Sequence, residues 1–133
     1  MEVHWLPGME RDSNIYLISG KKRNIVVDTG SGNHSTQYIN TIKGIVNHVD
    51  AVILTHCHYD HAGGAVDFLN AFDAPIYIHQ LDAVPIRNKD AETTFAYMFS
   101  QRMEDIPLEV LHDGARIEIG EGIIIEVIHT PGH

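Results

Sequence analysis

Apolar and polar positions follow two rhythms along the chain, and the changes between them mark out its elements. Asn14-Ile15-Tyr16-Leu17-Ile18 and Asn24-Ile25-Val26-Val27-Asp28 are short runs rich in β-branched and aromatic residues. The polar segment Ser19-Gly20-Lys21-Lys22-Arg23 separates them, so the pair predicts a hairpin. Thr29-Gly30-Ser31-Gly32 breaks the second strand. From about Asn33 or Ser35 the spacing becomes helical, with Tyr38, Ile42, Ile45 and Val49 on one face and Gln37, Asn40, Lys43 and Asn47 on the other. Ala51 to Thr55 then reads as a strand buried on both faces. Ala62, Ala65, Val66, Leu69 and Phe72 predict a second amphipathic helix, and Pro75 to Ile78 another short strand. Thr94 to Met103 predicts a helix that packs Phe95, Met98, Phe99 and Met103 into the core. The last third returns to strand patterns at Glu109 to Leu111, Arg116 to Ile119 and Ile123 to Ile128, punctuated by Asp113-Gly114 and Gly120-Glu121-Gly122. Strand, helix, strand, helix, strand implies parallel pairing through right-handed crossovers, which is α/β organisation in one domain, 1–133.

Composition narrows the function more than the fold. A formal charge of −9 with only nine Lys and Arg leaves no electrostatic footprint for a nucleic acid or an anionic membrane surface. The apolar runs are too short to span a bilayer. One cysteine excludes an internal disulfide, and the start MEVHWLPGMERD lacks a leader pattern, so a cytoplasmic location is expected. Ten histidines are the compositional anomaly.

Four metal-capable residues fall within six positions of Leu54-Thr55-His56-Cys57-His58-Tyr59-Asp60-His61, directly after the apolar run Ala51 to Leu54. In an extended segment His56 and His58 project to one side, as two ligands of one ion require, while Cys57 and Tyr59 point away. Asp60 and His61 lie where the chain turns into a helix, so they diverge, an arrangement suited to a second ion. Gly63-Gly64 sacrifices helix propensity and points to a close backbone approach. At the far end, Pro131-Gly132 within His129-Thr130-Pro131-Gly132-His133 is a turn that aims His133 toward the strand ends. Cys57 reads as a small buried residue. His79, His129 and Tyr59 read as hydrogen-bonded structural residues, and His4, His34, His48 and His112 as surface or turn residues.

The chain resembles the metallo-β-lactamase-fold hydrolase superfamily. The likeness rests on His-x-His-x-Asp-His at His56 to His61, the later HTPGH, IVVDTG at Ile25 to Gly30 and HAGG at His61 to Gly64. It implies a metallo-β-lactamase-like αββα sandwich, of which this chain is expected to be the N-terminal half, one mixed sheet with flanking helices. It makes His56, His58 and His133 ligands of a first ion, and Asp60 and His61 ligands of a second. Asp28 matches an aspartate that organises the site, although a turn or cap role fits its local sequence equally well. The resemblance implies zinc, one or two ions, with iron or manganese open to the same ligands.

Such a site hydrolyses without an enzyme nucleophile. Water activated by the ions attacks a thioester or related ester, and Asp60 orients it and helps to deprotonate it. The residues look most like the glyoxalase II-like thioester hydrolases, with lactonases, one-iron sulfur dioxygenases and nucleases open. The flavodiiron branch carries Glu where this chain has His58. The expected partners are a small-molecule substrate and either a second copy or a C-terminal half that supplies a bridging Asp and a final His. By itself the 133-residue chain is expected to be poorly active or inactive as a hydrolase, because Asp60 and His61 are only two ligands for the second ion; a contrasting reading makes it a non-catalytic metal-binding fragment or interaction module.

Overall fold

Eight strands form two sheets in the computed structural model, which describes residues 1–133. They are β1 (Glu2–Leu6), β2 (Ile15–Ser19), β3 (Asn24–Val27), β4 (Ala51–Ile53), β5 (Ile76–His79), β6 (Leu108–Leu111), β7 (Arg116–Gly120) and β8 (Ile123–Glu126). The helices are α1 (Ser35–Ile45), α2 (Tyr59–Ala62), α3 (Ala65–Phe72) and α4 (Gln80–Arg87). The larger sheet runs β1-β2-β3-β4-β5-β6. Its first three strands form an antiparallel meander, and β3 to β6 are parallel. The predicted hairpin is present as β2 and β3, and the crossovers make the sheet mixed.

Strand alternation sends the two faces of this sheet to different neighbours. Ile15, Leu17, Val26, Val52, Ile76 and Ile78 are fully buried and share one core with Tyr38, Ile42, Phe68, Ala83 and Ile86 from the helices. The opposite face carries Ile25 and Ala51, which pack on Ile119 of β7 with Ile53, Tyr77, Ile123 and Ile125 around them. The β7–β8 hairpin is thus a second layer, not a continuation of the first sheet. Register pairs Val3 with Ile18, Trp5 with Tyr16 and Ile18 with Ile25, so Val3, Trp5 and Tyr16 lie on that second face. They are 56%, 63% and 38% exposed. No helix is long and apolar enough to cross a membrane.

Four sequence expectations change. The second amphipathic helix is broken at Gly63-Gly64 into α2 and α3; Ala62 and Ala65 are fully buried as expected, Phe68 joins them, and Val66, Leu69 and Phe72 pack against the core only partly buried. The α1 helix stops at Ile45, which is exposed, and Val49 reaches the core from the loop beyond. Thr94 to Met103 forms only a 3-10 turn at Ala96–Phe99 between left-handed Phe95 and Ser100. There Asp90 accepts from the Glu92 and Thr93 amides, and the Thr94 hydroxyl donates to the Asp90 carbonyl. These local bonds compete with a helical ladder. Met103 still reaches the core, while Phe95 and Met98 are exposed. Finally, the last strand ends at Glu126, short of Ile128, and β8 is half-buried on one side only, with Ile124 facing outward.

Candidate metal centre

Parallel pairing puts the ends of β3 and β4 side by side, and the site grows from those ends. Asp28 follows β3 with a left-handed φ of 64°, a conformation that Asp tolerates better than most residues. Its side chain is buried. Oδ1 accepts the Thr55 amide at 2.8 Å, and the Thr55 hydroxyl donates to Oδ2 at 2.9 Å. Oδ2 also lies 2.8 Å from His61 Nδ1. Asp28 therefore grips both ends of the histidine loop, and both roles left open by its local sequence are present: turn residue and organiser of the site.

Further bonds fix the loop between those points. The Thr29 amide and hydroxyl donate to the His61 carbonyl at 2.9 and 2.8 Å, and the Gly64 amide to the Gly30 carbonyl at 3.0 Å. A Cβ at Gly64 would stand 2.6 Å from the Thr29 oxygen, and one at Gly63 would collide with the Ser31 carbonyl. The glycine pair is thus required by close backbone approach. The Ser13 amide donates to the Asp60 carbonyl at 3.0 Å, the Tyr59 amide to the Thr94 carbonyl at 2.7 Å, and the Cys57 amide to Asp82 Oδ1 at 3.0 Å. Cys57 is buried, and burial followed by the Asp82 charge pushes its thiol up to about 12. It is an inert packing residue.

The imidazoles converge. Ring centroids of His56 and His58 are 4.6 Å apart, those of His56 and His61 4.1 Å, and His133 lies 4.8 Å from both His56 and His58. One nitrogen each from His56, His58 and His133 falls within a 4.8 Å group. Asp60 and His61 stand beside it, with His61 Nε2 3.6 Å from Asp60 Oδ2. All five sequence-predicted residues are therefore brought to one place. Of the remaining histidines, His48 and His112 are exposed, while His4 and His34 are half-buried beside Glu2 and Glu10.

Electrostatics divides the group. Burial, then repulsion from His61 and His58, lowers the His56 pKa from 6.5 to about 4. Burial, then His133, also lowers that of His58. Burial opposes a charge on His61 as well, but the hydrogen bond and charge of Asp28, with Asp60, outweigh it and raise the pKa. Because a carboxylate only accepts, the Asp28 contact places a proton on His61 Nδ1 and leaves Nε2 as the lone-pair nitrogen.

A metal fits these residues on two grounds. His56 Nε2 is buried without any hydrogen-bond partner, a costly state for a polar nitrogen. The donors around it are imidazole nitrogens, the set that suits zinc and leaves a fourth position open. Sequence reasoning missed Thr55, Asp82 and Phe95, whose ring meets His58 edge to face at 4.6 Å. Thr55 lies inside the motif and could have been found there; Asp82 and Phe95 carry no local signal.

A model of the metallo-beta-lactamase superfamily matches residues 8–133. The chain is 32% identical over 129 residues to a protein described as a probable metallo-hydrolase in Methanocaldococcus jannaschii, covering 96% of this chain and 61% of that one. It is 30% identical over 123 residues to a hydroxyacylglutathione hydrolase of Aeromonas hydrophila, covering 92% of this chain and 39% of the relative. Among solved structures, a metallo-beta-lactamase from Legionella gormanii shares the fold with a TM-score of 0.78 at 22% identity, over 98% of this chain and 51% of that one. One from Cronobacter sakazakii does so with a TM-score of 0.81 at 20% identity, also over 98% and 51%. The chain thus spans about half the length of these relatives. With the family model running from Gly8 through both histidine motifs to His133, the chain belongs to the metallo-beta-lactamase superfamily.

Proposed function

We propose that this chain carries the histidine ligands of a zinc-dependent hydrolase acting on a thioester or related ester. The convergence of His56, His58 and His133 around a partnerless buried nitrogen carries this reading. Similarity to a hydroxyacylglutathione hydrolase, whose named substrate is a thioester, supports the substrate class. His56, His58 and His133 would hold zinc, whose Lewis acidity would polarise a carbonyl and bring the pKa of water from ~15.7 to about 7.

The chain's own residues do the rest. Burial keeps His56 and His58 neutral, so their lone pairs stay available. Asp28 holds the His61 ring in one tautomer, which turns the Nε2 lone pair toward Asp60. Asp60 and His61 together would hold a second ion, and the Asp60 carboxylate takes the proton of the attacking water. Phe95 meets the His58 ring edge to face and supports its orientation.

Zinc-loaded protein should hold about one ion per chain, and its hydrolysis, weak in the 133-residue chain alone, should favour an S-acyl thioester over a lactone or phosphodiester. Absence of zinc after loading refutes the site, and preference for another ester class moves the substrate. A second reading, metal binding without turnover, draws on the count of donors: three for the first ion and only Asp60 and His61 for the second. Zinc binding with no hydrolysis on any substrate of the panel would favour it.

A further inference from the structure

The α4 helix begins immediately after β5, at the sheet edge where β3 and β4 also end. Its first turn touches both segments that deliver histidines. Asp82 accepts from the Cys57 amide at 3.0 Å, the peptide lying between His56 and His58. His79 caps the helix, with Nδ1 accepting the Leu81 amide at 3.1 Å, which fixes the ring and leaves its proton on Nε2. The face of that ring stacks on His129, at 3.9 Å between centroids and 7° between planes.

This stack matters because the segment carrying His133 has few other holds. The His129 amide donates to Asp113 Oδ1 at 2.8 Å, and Thr130 to His133 make no hydrogen bond beyond it. Pro131 restricts φ, and Gly132 takes a φ of 120° that favours glycine. The holds on this segment are therefore concentrated at His129. The orientation of that residue decides where His133 arrives.

We propose that His79 and Asp82 are positioning residues which bring the histidines of two distant segments into one ligand set, Asp82 for His56 and His58, and His79 through His129 for His133. The inference rests on the reading of those three histidines as metal ligands. Neither His79 nor Asp82 belongs to the ligand group itself. Their contribution is to ligand geometry, and residues that orient ligands commonly change metal affinity by roughly 10- to 100-fold.

The test is zinc affinity of the 133-residue chain, measured by competition with a chromophoric chelator, with thermal unfolding of the metal-free protein beside it. His79→Ala and Asp82→Ala should each weaken zinc binding by at least about tenfold. His79→Phe keeps a flat ring against His129, and Asp82→Asn keeps an acceptor for the Cys57 amide, so both should restore most of the affinity. Because His79 and His129 act through one contact, the His79→Ala/His129→Ala pair should bind zinc no more weakly than the poorer single variant. Should His79→Ala not fold, His129→Ala removes the same stack from its other side and must show the same loss.

Unchanged affinity in the alanine variants overturns the proposal. So does an equal loss in the alanine and conservative variants, which would show general damage to the fold. Zinc binding that survives His56→Ala and His58→Ala would instead sink the ligand assignment. Zinc lost in those two but normal in the His79 and Asp82 variants would sink only the positioning role.

Discussion

The loop from Thr55 to Gly64 and the segment from Ile128 to His133 deliver histidines to one place by opposite means. The loop is clamped from below by Asp28 and Thr29, from the sides by Ser13, Asp82 and Thr94, and by a glycine pair pressed against the Thr29–Ser31 turn. His56 arrives there with its pKa already lowered to about 4. The other segment leans on one hydrogen bond and one ring stack, and His133 is exposed. Two of the three converging histidines are therefore held by the folded loop before any ion binds, and the third is set by a surface contact. Affinity should depend on the loop, and its adjustment on the segment.

The sharpest break in this contrast comes from the proposed ligands. His56→Ala should reduce zinc affinity by about 100-fold or more, because the pre-formed donor is gone, and His133→Ala should cost less, since an exposed donor can be replaced by water. Chelator competition reads both. Equal losses would mean that the exposed segment is as pre-organised as the loop.

Next come the glycines. Gly64→Ala puts a methyl group 2.6 Å from the Thr29 oxygen, and should destabilise the fold by about 2–3 kcal/mol in urea unfolding. Gly132→Ala meets nothing within 4 Å and disturbs only a local φ, so global stability should scarcely move. Reversed magnitudes would remove the distinction between the two regions. Slightly smaller is Asp28→Ala, which strands the Thr55 amide and His61 Nδ1 and should cost about 2 kcal/mol.

The smallest effect is with pH, in metal-free protein. His56 has a folded pKa of about 4 against an ordinary 6.5, so between those values the unfolded chain binds a proton that the folded chain refuses. Stability therefore falls as pH drops from about 6.5 toward 4. His61 acts in the opposite sense, because its raised pKa favours folding below its unfolded value, and that contribution is lost as pH rises through the folded pKa. Replacing His56 by Gln should flatten the acid side of a urea-midpoint profile. A profile identical to that of the parent would show that His56 is not held neutral by the fold.

Much of this division was legible in the sequence. The loop could be read because its ligands, its strand and its glycine pair are contiguous, and because residues two apart share a side. The helix that follows is shorter than its periodicity implies, since the reason for the break at Gly63-Gly64, contact with Ser31 and Thr29, is not local. Asp82 could not be read at all: it sits in α4, a helix whose internal Pro85 obscures its pattern, and meets Cys57 only after β4 and β5 have paired. The Phe95 to Met103 stripe had helical spacing, but the hydrogen bonds of Asp90 and Thr94 outweigh spacing. Strand β1 carries little apolar signal because it lies largely in solvent, with only Leu6 buried.

The two sheets share no ladder. They are stitched at one corner, where the Lys22 and Arg23 amides donate to the Ile119 carbonyl at 2.8 and 3.0 Å. At another corner the histidines of the loop, rooted in the large sheet, face His133, which extends from β8 of the small one. An ion bridging them would be a clip across the layers, closing a stretch of some 75 residues between its ligands. Such a protein has no single melting temperature. By mass action, free zinc at 100 times its dissociation constant adds about 2.7 kcal/mol to the folded state, so heat resistance would track the metal supply and would be lost first to a chelator.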